Sequence, residues 1–476
     1  MVVQIIKHEW RNLTADRTLW WVTFILVVAI GYGVYNGTSW ITFLEESIEN
    51  ALQEEHDRLA KYQLIVANDL PPERRSRSPY SARYMGRNFG VRYAYLPPTP
   101  LASLSIGQSD LYASYFKVST RSTTRQKRHS EHENPNHLLE RPFDLAFVTV
   151  YLFPLLILAL SYNLISSERE QGTMAMVLSQ PVSLRKFVVA KVGFRAFIIT
   201  VLVVGLSFLA FLLNGVNLLD ASASKQLLMW IGIVVLYSAF WFSLAMAVNA
   251  LGQNSATNAI ILAGMWLAFV VLVPSAVSLL VRTLYPVSTQ VEFIVARREA
   301  AVDDRAREAQ TLSMYFEDHP EFVPEGQEPD FERFDTLQYA AEMGVEQTMR
   351  PLVDQYREQL LRQQAQVNRL RFLSPAIVTQ EALTEIAGTG LARYNHFLSV
   401  AETFHKEWRA YFEPKIFAFY KLTGKDYDEF PRYSFVEEPE GRVVDYVFNS
   451  LVGLIVPTLA IFAIGLLKLR RYPLSG

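Results

Sequence analysis

Six stretches of about twenty residues carry almost no charge, and they constrain this chain more than any other feature. A helix needs about 20 mainly apolar residues to cross the hydrocarbon core of a bilayer. Residues 19–35, 145–165, 187–213, 227–251, 259–281 and 446–467 meet that requirement, and none has an acid in its interior. The first is slightly short but begins with two tryptophans, Trp20 and Trp21. Charged residues make up 19% of the 476, below the roughly 25% usual in soluble domains, and the deficit lies in these stretches.

Orientation follows from lysine and arginine near the span ends. Lys7, Arg11 and Arg17 precede the first stretch. Arg169, Arg185, Lys186, Lys191 and Arg195 gather between the second and third, and Lys468, Arg470 and Arg471 follow the last. With six spans all three groups fall on one side, which the positive-inside rule makes the cytoplasm, with both termini there. Lys191 and Arg195 lie in the first turns of the third span, where long basic side chains reach the headgroups by snorkelling. The alternative, a cleaved signal peptide at 19–35, fits poorly: the apolar run is longer than usual and no small-residue cleavage site follows.

This topology leaves residues 36–144 and 282–445 outside the membrane, with an outer loop at 214–226, inner loops at 166–186 and 252–258, and a tail at 468–476. The second large segment reads as helical over Val291–Tyr315, Phe334–Phe372 and Ala382–Tyr420, and is acidic. The first begins with a helix, Trp40–Ala67, ended by Pro71 and Pro72. It then turns irregular, with Arg74, Arg75, Arg77, Arg83, Arg87 and Arg92 interleaved with tyrosines. Opposite charge favours pairing of the two segments. The expected fold is therefore an all-α polytopic membrane protein with six transmembrane helices and two large, mainly helical extracytoplasmic segments.

The residues also exclude several chemistries. Without cysteine there are no disulfides, thiolate metal sites or thiol nucleophiles. A formal charge of −2 gives no basic footprint for nucleic acid. No G-x-x-x-x-G-K-[ST] is present, so the chain has no P-loop of its own. No span carries an acid or histidine to relay protons. His129, His132 and His137 lie close together beside Glu131 and Glu133, but their spacing and Pro135 fit a solvated loop better than a metal centre.

The inner loop at 166–186 is the most informative stretch. Ser167 with Glu170 forms a capping-box pattern, Gly172 permits close approach of another surface, and Met174, Met176 and Leu178 supply an adaptable apolar face. Pro181 ends this short helix, and Ser183 caps the next. Near the N-terminus, Val2, Val3, Ile6, Trp10 and Leu13 share one helical face, with Lys7, Arg11 and Asn12 on another. Such a helix lies in the membrane interface. Asn163, Asn214 and Asn249 stand at span ends, where a polar residue needs no particular role.

The phrase SEREQGTMAMVLSQPVSLRKFVVAK resembles the corresponding loop of type-2 ABC exporter permeases. There a Glu-x-Glu-x-Gly-Thr core forms the coupling helix that seats in a separate ATPase. The resemblance implies that Glu168, Arg169, Glu170, Gly172, Thr173, Met174, Met176 and Leu178 couple this chain to such a subunit. It makes residues 1–18 the family's elbow helix, and Gly252, Gln253, Asn254 and Ser255 a second, smaller coupling contact. It covers roughly the membrane half and leaves the large segments, which suit a bacterial branch with insertions after the first and fifth spans, unexplained. It implies a non-catalytic permease in a bacterial cytoplasmic membrane, working as a homodimer or paralogous heterodimer. ATP and Mg would sit on the partner ATPase, and no cofactor in this chain. An extracytoplasmic protein partner is a further expectation. The competing reading is a membrane-anchored external sensor or scaffold, or a mechanotransmission device that moves its outer mass without passing substrate.

Overall fold

The computed structural model describes residues 2–15, 17–71, 78–121, 143–174, 176, 179, 183–213, 220–287, 292, 294–296, 298–300, 302, 317, 334–439, 441–470 and 472. The chain is nearly all helical. Helix α1 (Val2–Ala15) leads almost directly into α2 (Arg17–Ala67). A two-stranded antiparallel sheet follows, β1 (Arg92–Tyr95) against β2 (Tyr115–Val118), with Arg92 opposite Val118 and Tyr95 opposite Tyr115. Then come α3 (Leu145–Ala159), α4 (Ser166–Glu170), α5 (Leu184–Leu213), α6 (Ala221–Asn249) and α7 (Ser255–Leu284). The last four long elements are α8 (Phe334–Leu370), α9 (Pro375–Ile386), α10 (Leu391–Phe417) and α11 (Gly441–Leu469).

Among the described residues, α2, α5, α6, α7 and α11 are long and apolar enough to cross a membrane, and the protein is a multi-pass membrane protein. The expected second span differs. Its helix, α3, stops at Ala159, and Leu160–Ile165 turn out of helical geometry. Side chains from neighbouring helices take over its backbone groups: Arg195 donates to the Leu160 carbonyl, while Asn249 donates to Ser161 O at 2.9 Å and accepts from Ile165 N at 3.2 Å. Irregular backbone is tolerated at membrane depth where protein satisfies it in this way.

Helix α6 is the axis of the bundle. Trp230, Tyr237, Phe240, Trp241 and Phe242 on it are fully buried, and α3, α5, α9 and α11 pack around it. Two neighbours, α3 and α7, each contain a single π turn, Val148–Leu152 and Ala268–Leu272, just ahead of Pro154 and Pro274. Proline lacks an N–H and its ring crowds the preceding turn, and one extra residue per turn relieves the clash. Side-chain donors reach carbonyls in both π turns. Tyr237 Oη donates to Val150 O at 2.9 Å, Trp266 Nε1 to Tyr151 O at 3.2 Å, and Ser374 Oγ to Phe269 O at 2.5 Å.

The first expected span and the helix expected after it are one element. Helix α2 runs 51 residues without a break, because nothing between Tyr35 and Trp40 stops a helix except Gly37, and Gly37 is needed for packing. A Cβ there would lie 1.7 Å from the Ser103 carbonyl oxygen.

Both inserted segments fold together into a second hydrophobic core, here called the head. Val66, Ala82, Met85, Ala94 and Val118 from the first segment pack with Phe397, Phe404, Trp408, Phe412 and Phe430 from the second. The part of the first segment read as irregular contributes the β1–β2 pair, within segments expected to be mainly helical. Charge pairing across the segments is modest: Arg87 meets Glu342 at 2.6 Å, whereas Arg92 pairs within its own segment, with Glu55 at 2.8 Å. Arg83 lies buried over the Tyr84 ring, and Arg74, Arg75 and Arg77 lie outside the described residues. Aromatic contacts carry the joint, with Tyr112 stacked on Tyr394 at 4.4 Å and Trp408 Nε1 donating to Gly86 O at 2.9 Å.

Candidate functional site

Helix α4 ends in a Schellman cap, which fixes why glycine stands at 172. Thr173 N donates to Glu168 O at 2.9 Å and Gly172 N to Arg169 O at 3.1 Å, a pattern that needs a left-handed residue between them. Gly172 has φ +72°, and nothing lies within 4 Å of where its Cβ would be. Among the described residues its surroundings are open.

The capping box expected from Ser167 and Glu170 does not form. Helix α4 begins at Ser166 with no side-chain cap, and Glu170 reaches across to the second inner loop instead. It accepts from Ser255 N at 2.7 Å and from Ser255 Oγ at 2.8 Å. Arg169 Nη1 donates to Gly252 O at 2.6 Å, and Ser166 Oγ lies 2.8 Å from Ser255 Oγ. Gly252 has φ +75°, which turns its carbonyl towards Arg169. Asn254 Oδ1 caps α7 by accepting from Thr257 N at 2.7 Å, and Gln253 is exposed. The loops at 166–186 and 252–258 are thus one hydrogen-bonded platform.

Beneath it lies a buried amide pair. Asn249 ties down Ser161 O, Ala245 O and Ile165 N, and Asn258 Nδ2 is 3.4 Å from Asn249 Oδ1 and 3.5 Å from Ser166 Oγ. Asn249, dismissed in the sequence as an ordinary span-end residue, is therefore the hub that holds the unwound end of α3. Its signal was the pair of asparagines flanking one short inner loop. Tyr472, past the end of α11, is buried against the same bundle core.

A second anchor was missed altogether. Lys191 is 4% exposed and Arg195 is also largely buried; neither snorkels to a headgroup. Arg195 is paired at 2.5 Å with Glu9, itself 3% exposed, and Lys191 lies 3.7 Å from Glu9 and 3.0 Å from Glu168. Two buried cations and two carboxylates balance, as buried charges must. Ile5, Glu9 and Leu13 form the buried stripe of α1 against α5, Trp10 at its edge is half-exposed and meets Phe194 of α5 edge to face at 6.3 Å, and Val3 is exposed. The legible signal was an acid at the centre of an i, i+4, i+8 stripe, matched by two bases four residues apart at the start of the third span.

These contacts set the charge state of the loop. Burial alone would raise the Glu168 carboxyl, but Lys191 and the Thr173 hydroxyl, 2.5 Å away, bring it below the usual carboxylate range. The Ser255 amide and hydroxyl likewise hold the Glu170 carboxyl low. The expected apolar face divides: Met174 is 5% exposed and belongs to the bundle core, whereas Met176 is 72% exposed. Leu178, His129, His132 and His137 lie outside the described residues. What the platform presents to solvent is Glu170, Gln171, Gly172, Met176, Gln253 and Asn254. The two loops are held together by these bonds, and among the described residues no nucleophile or acid–base pair is assembled on their surface.

Residues 116–290, which contain the whole platform, match the family model described as ABC-2 family transporter protein. Residues 290–436 match a model described as a domain of unknown function, DUF3526. No curated protein and no solved structure matches the chain.

Proposed function

With residues 116–290 belonging to the type-2 ABC permease superfamily, we propose that this chain is the membrane subunit of an ABC exporter whose ATPase is a separate polypeptide. The observation that carries the reading is the joining of the two inner loops through Glu170–Ser255 and Arg169–Gly252. A partner pressing on α4 presses at the same time on the first turn of α7 and, through Glu168, on Lys191 of α5. One docking event therefore moves three helices together. In this reading the platform and both termini face the cytoplasm of a bacterial cell, the head faces outward, and two copies, identical or paralogous, enclose the path. ATP and Mg act on the partner chain.

The test is co-purification with the cognate ATPase and measurement of ATP hydrolysis for the wild type and for Glu170→Ala combined with Gly172→Trp. Assembly lost, or stimulated hydrolysis abolished, supports the reading. A chain that purifies alone, and a double variant without effect, would end it and favour an external sensor.

A second reading uses the same platform without translocation. Helix α2 continues unbroken into the head, a connection suited to moving outer mass by ATP hydrolysed inside.

A further inference from the structure

Helix α1 contains one acid, and that acid is turned inward. Glu9 is buried between Arg195 and Lys191 of α5. The pairing fixes the rotation of the helix about its own axis, since any large turn would pull the carboxylate away from both cations. The other sides of α1 are therefore presented in set directions. At about 100° per residue, Ile6, Trp10 and Val3 follow the buried stripe around the helix. Lys7 and Arg11 come next, opposite Glu9.

Val3, Lys7 and Arg11 are exposed, and Trp10 is half-exposed beside Phe194. Among the described residues, neither Lys7 nor Arg11 has a carboxylate partner. Asp16, between α1 and α2, lies outside them. The exposed surface of α1 thus carries cations without acids, bordered along one side by apolar side chains.

Helix α2 sets the level of this surface relative to a bilayer. One residue separates α1 from Arg17, where α2 begins, and the apolar stretch starts at Leu19. Trp20 Nε1 donates to Thr14 O at 3.1 Å and ties the two helices together. Trp20 and Trp21 are both exposed, and tryptophans at a span end mark the layer of the lipid headgroups. Helix α1 therefore lies at the edge of the hydrocarbon.

We propose that this face of α1 binds an anionic phospholipid, with Lys7 and Arg11 on the headgroup phosphate and Trp10 and Val3 against the upper acyl chains. Charge complementarity names the occupant. An anionic leaflet attracts each basic residue held near its surface, and here two stand one helical turn apart. The planar fork of Arg11 matches phosphate oxygens two at a time, and Lys7 adds a point charge. The apolar border favours a lipid over free phosphate, because a helix with such a border buries it at the boundary of headgroups and chains. The contact requires α1 beside a bilayer and does not rest on the permease reading.

The absence of cysteine allows a fluorophore to be placed on the full chain through Gln4→Cys, an exposed position on the same side as Lys7 and Arg11. Thr283→Cys, exposed beside Arg282 at the end of α7 far from the platform, is the reference. Each labelled chain is reconstituted in phosphatidylcholine nanodiscs containing a nitroxide-labelled lipid, either phosphatidylglycerol or phosphatidylcholine, at equal mole fraction. Excess quenching by phosphatidylglycerol reports its enrichment beside the fluorophore. At Gln4→Cys the excess is expected to be at least about threefold, and to shrink in high salt. Lys7→Gln with Arg11→Gln should abolish it while quenching by phosphatidylcholine is unchanged. Lys7→Arg with Arg11→Lys, which keeps both charges, should retain it. An excess no larger at Gln4→Cys than at Thr283→Cys, or one that survives loss of both charges, overturns the contact. A chain that binds no ATPase but keeps the excess ends the permease reading and leaves the lipid contact standing.

Discussion

Glu170 holds Ser255 by two hydrogen bonds, one to its amide and one to its hydroxyl, across 85 residues of sequence. The pairing makes a composite surface of two loops that would otherwise move separately. Ser255→Ala removes the hydroxyl's bonds to Glu170 and Ser166 and leaves the amide bond. It should lower affinity for the ATPase by about fivefold, in line with about 1 kcal/mol for one hydrogen bond. Glu170→Ala removes both of its bonds to Ser255 and should cost about tenfold or more. Titration of the purified ATPase subunit against each variant checks the order.

Glu9 should be the most sensitive residue of α1. Glu9→Ala removes the carboxylate paired with buried Arg195 and leaves Lys191 to Glu168 alone, and should destabilise the bundle by about 3 kcal/mol. Adding Arg195→Met should recover part of that loss. Thermal unfolding in detergent measures both, and a Glu9→Ala variant as stable as wild type would refute the assignment.

Two glycines in apolar helices should respond oppositely to alanine. At Gly37 a Cβ meets the Ser103 carbonyl oxygen at 1.7 Å, whereas at Gly205 nothing lies within 4 Å. Gly37→Ala should cost about 3 kcal/mol through displaced backbone. Gly205→Ala should be neutral or stabilising by up to about 1 kcal/mol. The difference in melting temperature between the two variants reports it.

His405 gives the head a pH dependence. Burial, reinforced by the Arg409 guanidinium, pushes its imidazole down to about 4 from 6.5, and Nε2 lies 2.8 Å from the Arg121 carbonyl oxygen. The folded head therefore binds fewer protons there than the unfolded chain. Stability is retained above pH 6.5 and is lost as pH falls from 6.5 towards 4, by about 3 kcal/mol for this group. His405→Gln should flatten that limb of the stability curve, measured by denaturant unfolding at pH 7 and pH 4.5.

The membrane part was legible because hydrophobic length is a one-dimensional property: a run such as residues 227–251 has few alternatives. The Glu168–Thr173 motif was legible because its residues are consecutive. What escaped the sequence were partnerships set by three-dimensional packing. Glu170 has a convincing local use as a capping acid, and nothing in its neighbourhood says that Ser255 competes for it. Lys191 and Arg195 look like interfacial bases until Glu9, far away in the chain, is seen to face them. Asn249 reads as an ordinary span end because the unwound backbone it serves belongs to another helix. The head was hardest, because aromatic contacts such as Tyr112 with Tyr394 leave no periodic trace.

The unbroken course of α2 sets a mechanical gain. Roughly 30 of its residues extend past the apolar stretch, an arm of about 45 Å at 1.5 Å per residue. A tilt of about 5° within the bundle then carries its far end through about 4 Å. Rotations too small to change side-chain packing between spans become, at Val66, displacements as large as the width of a side chain. The arm works equally in reverse: a lateral load on the head reaches the bundle as a torque about Gly37, where the helix has no room to slide past Ser103.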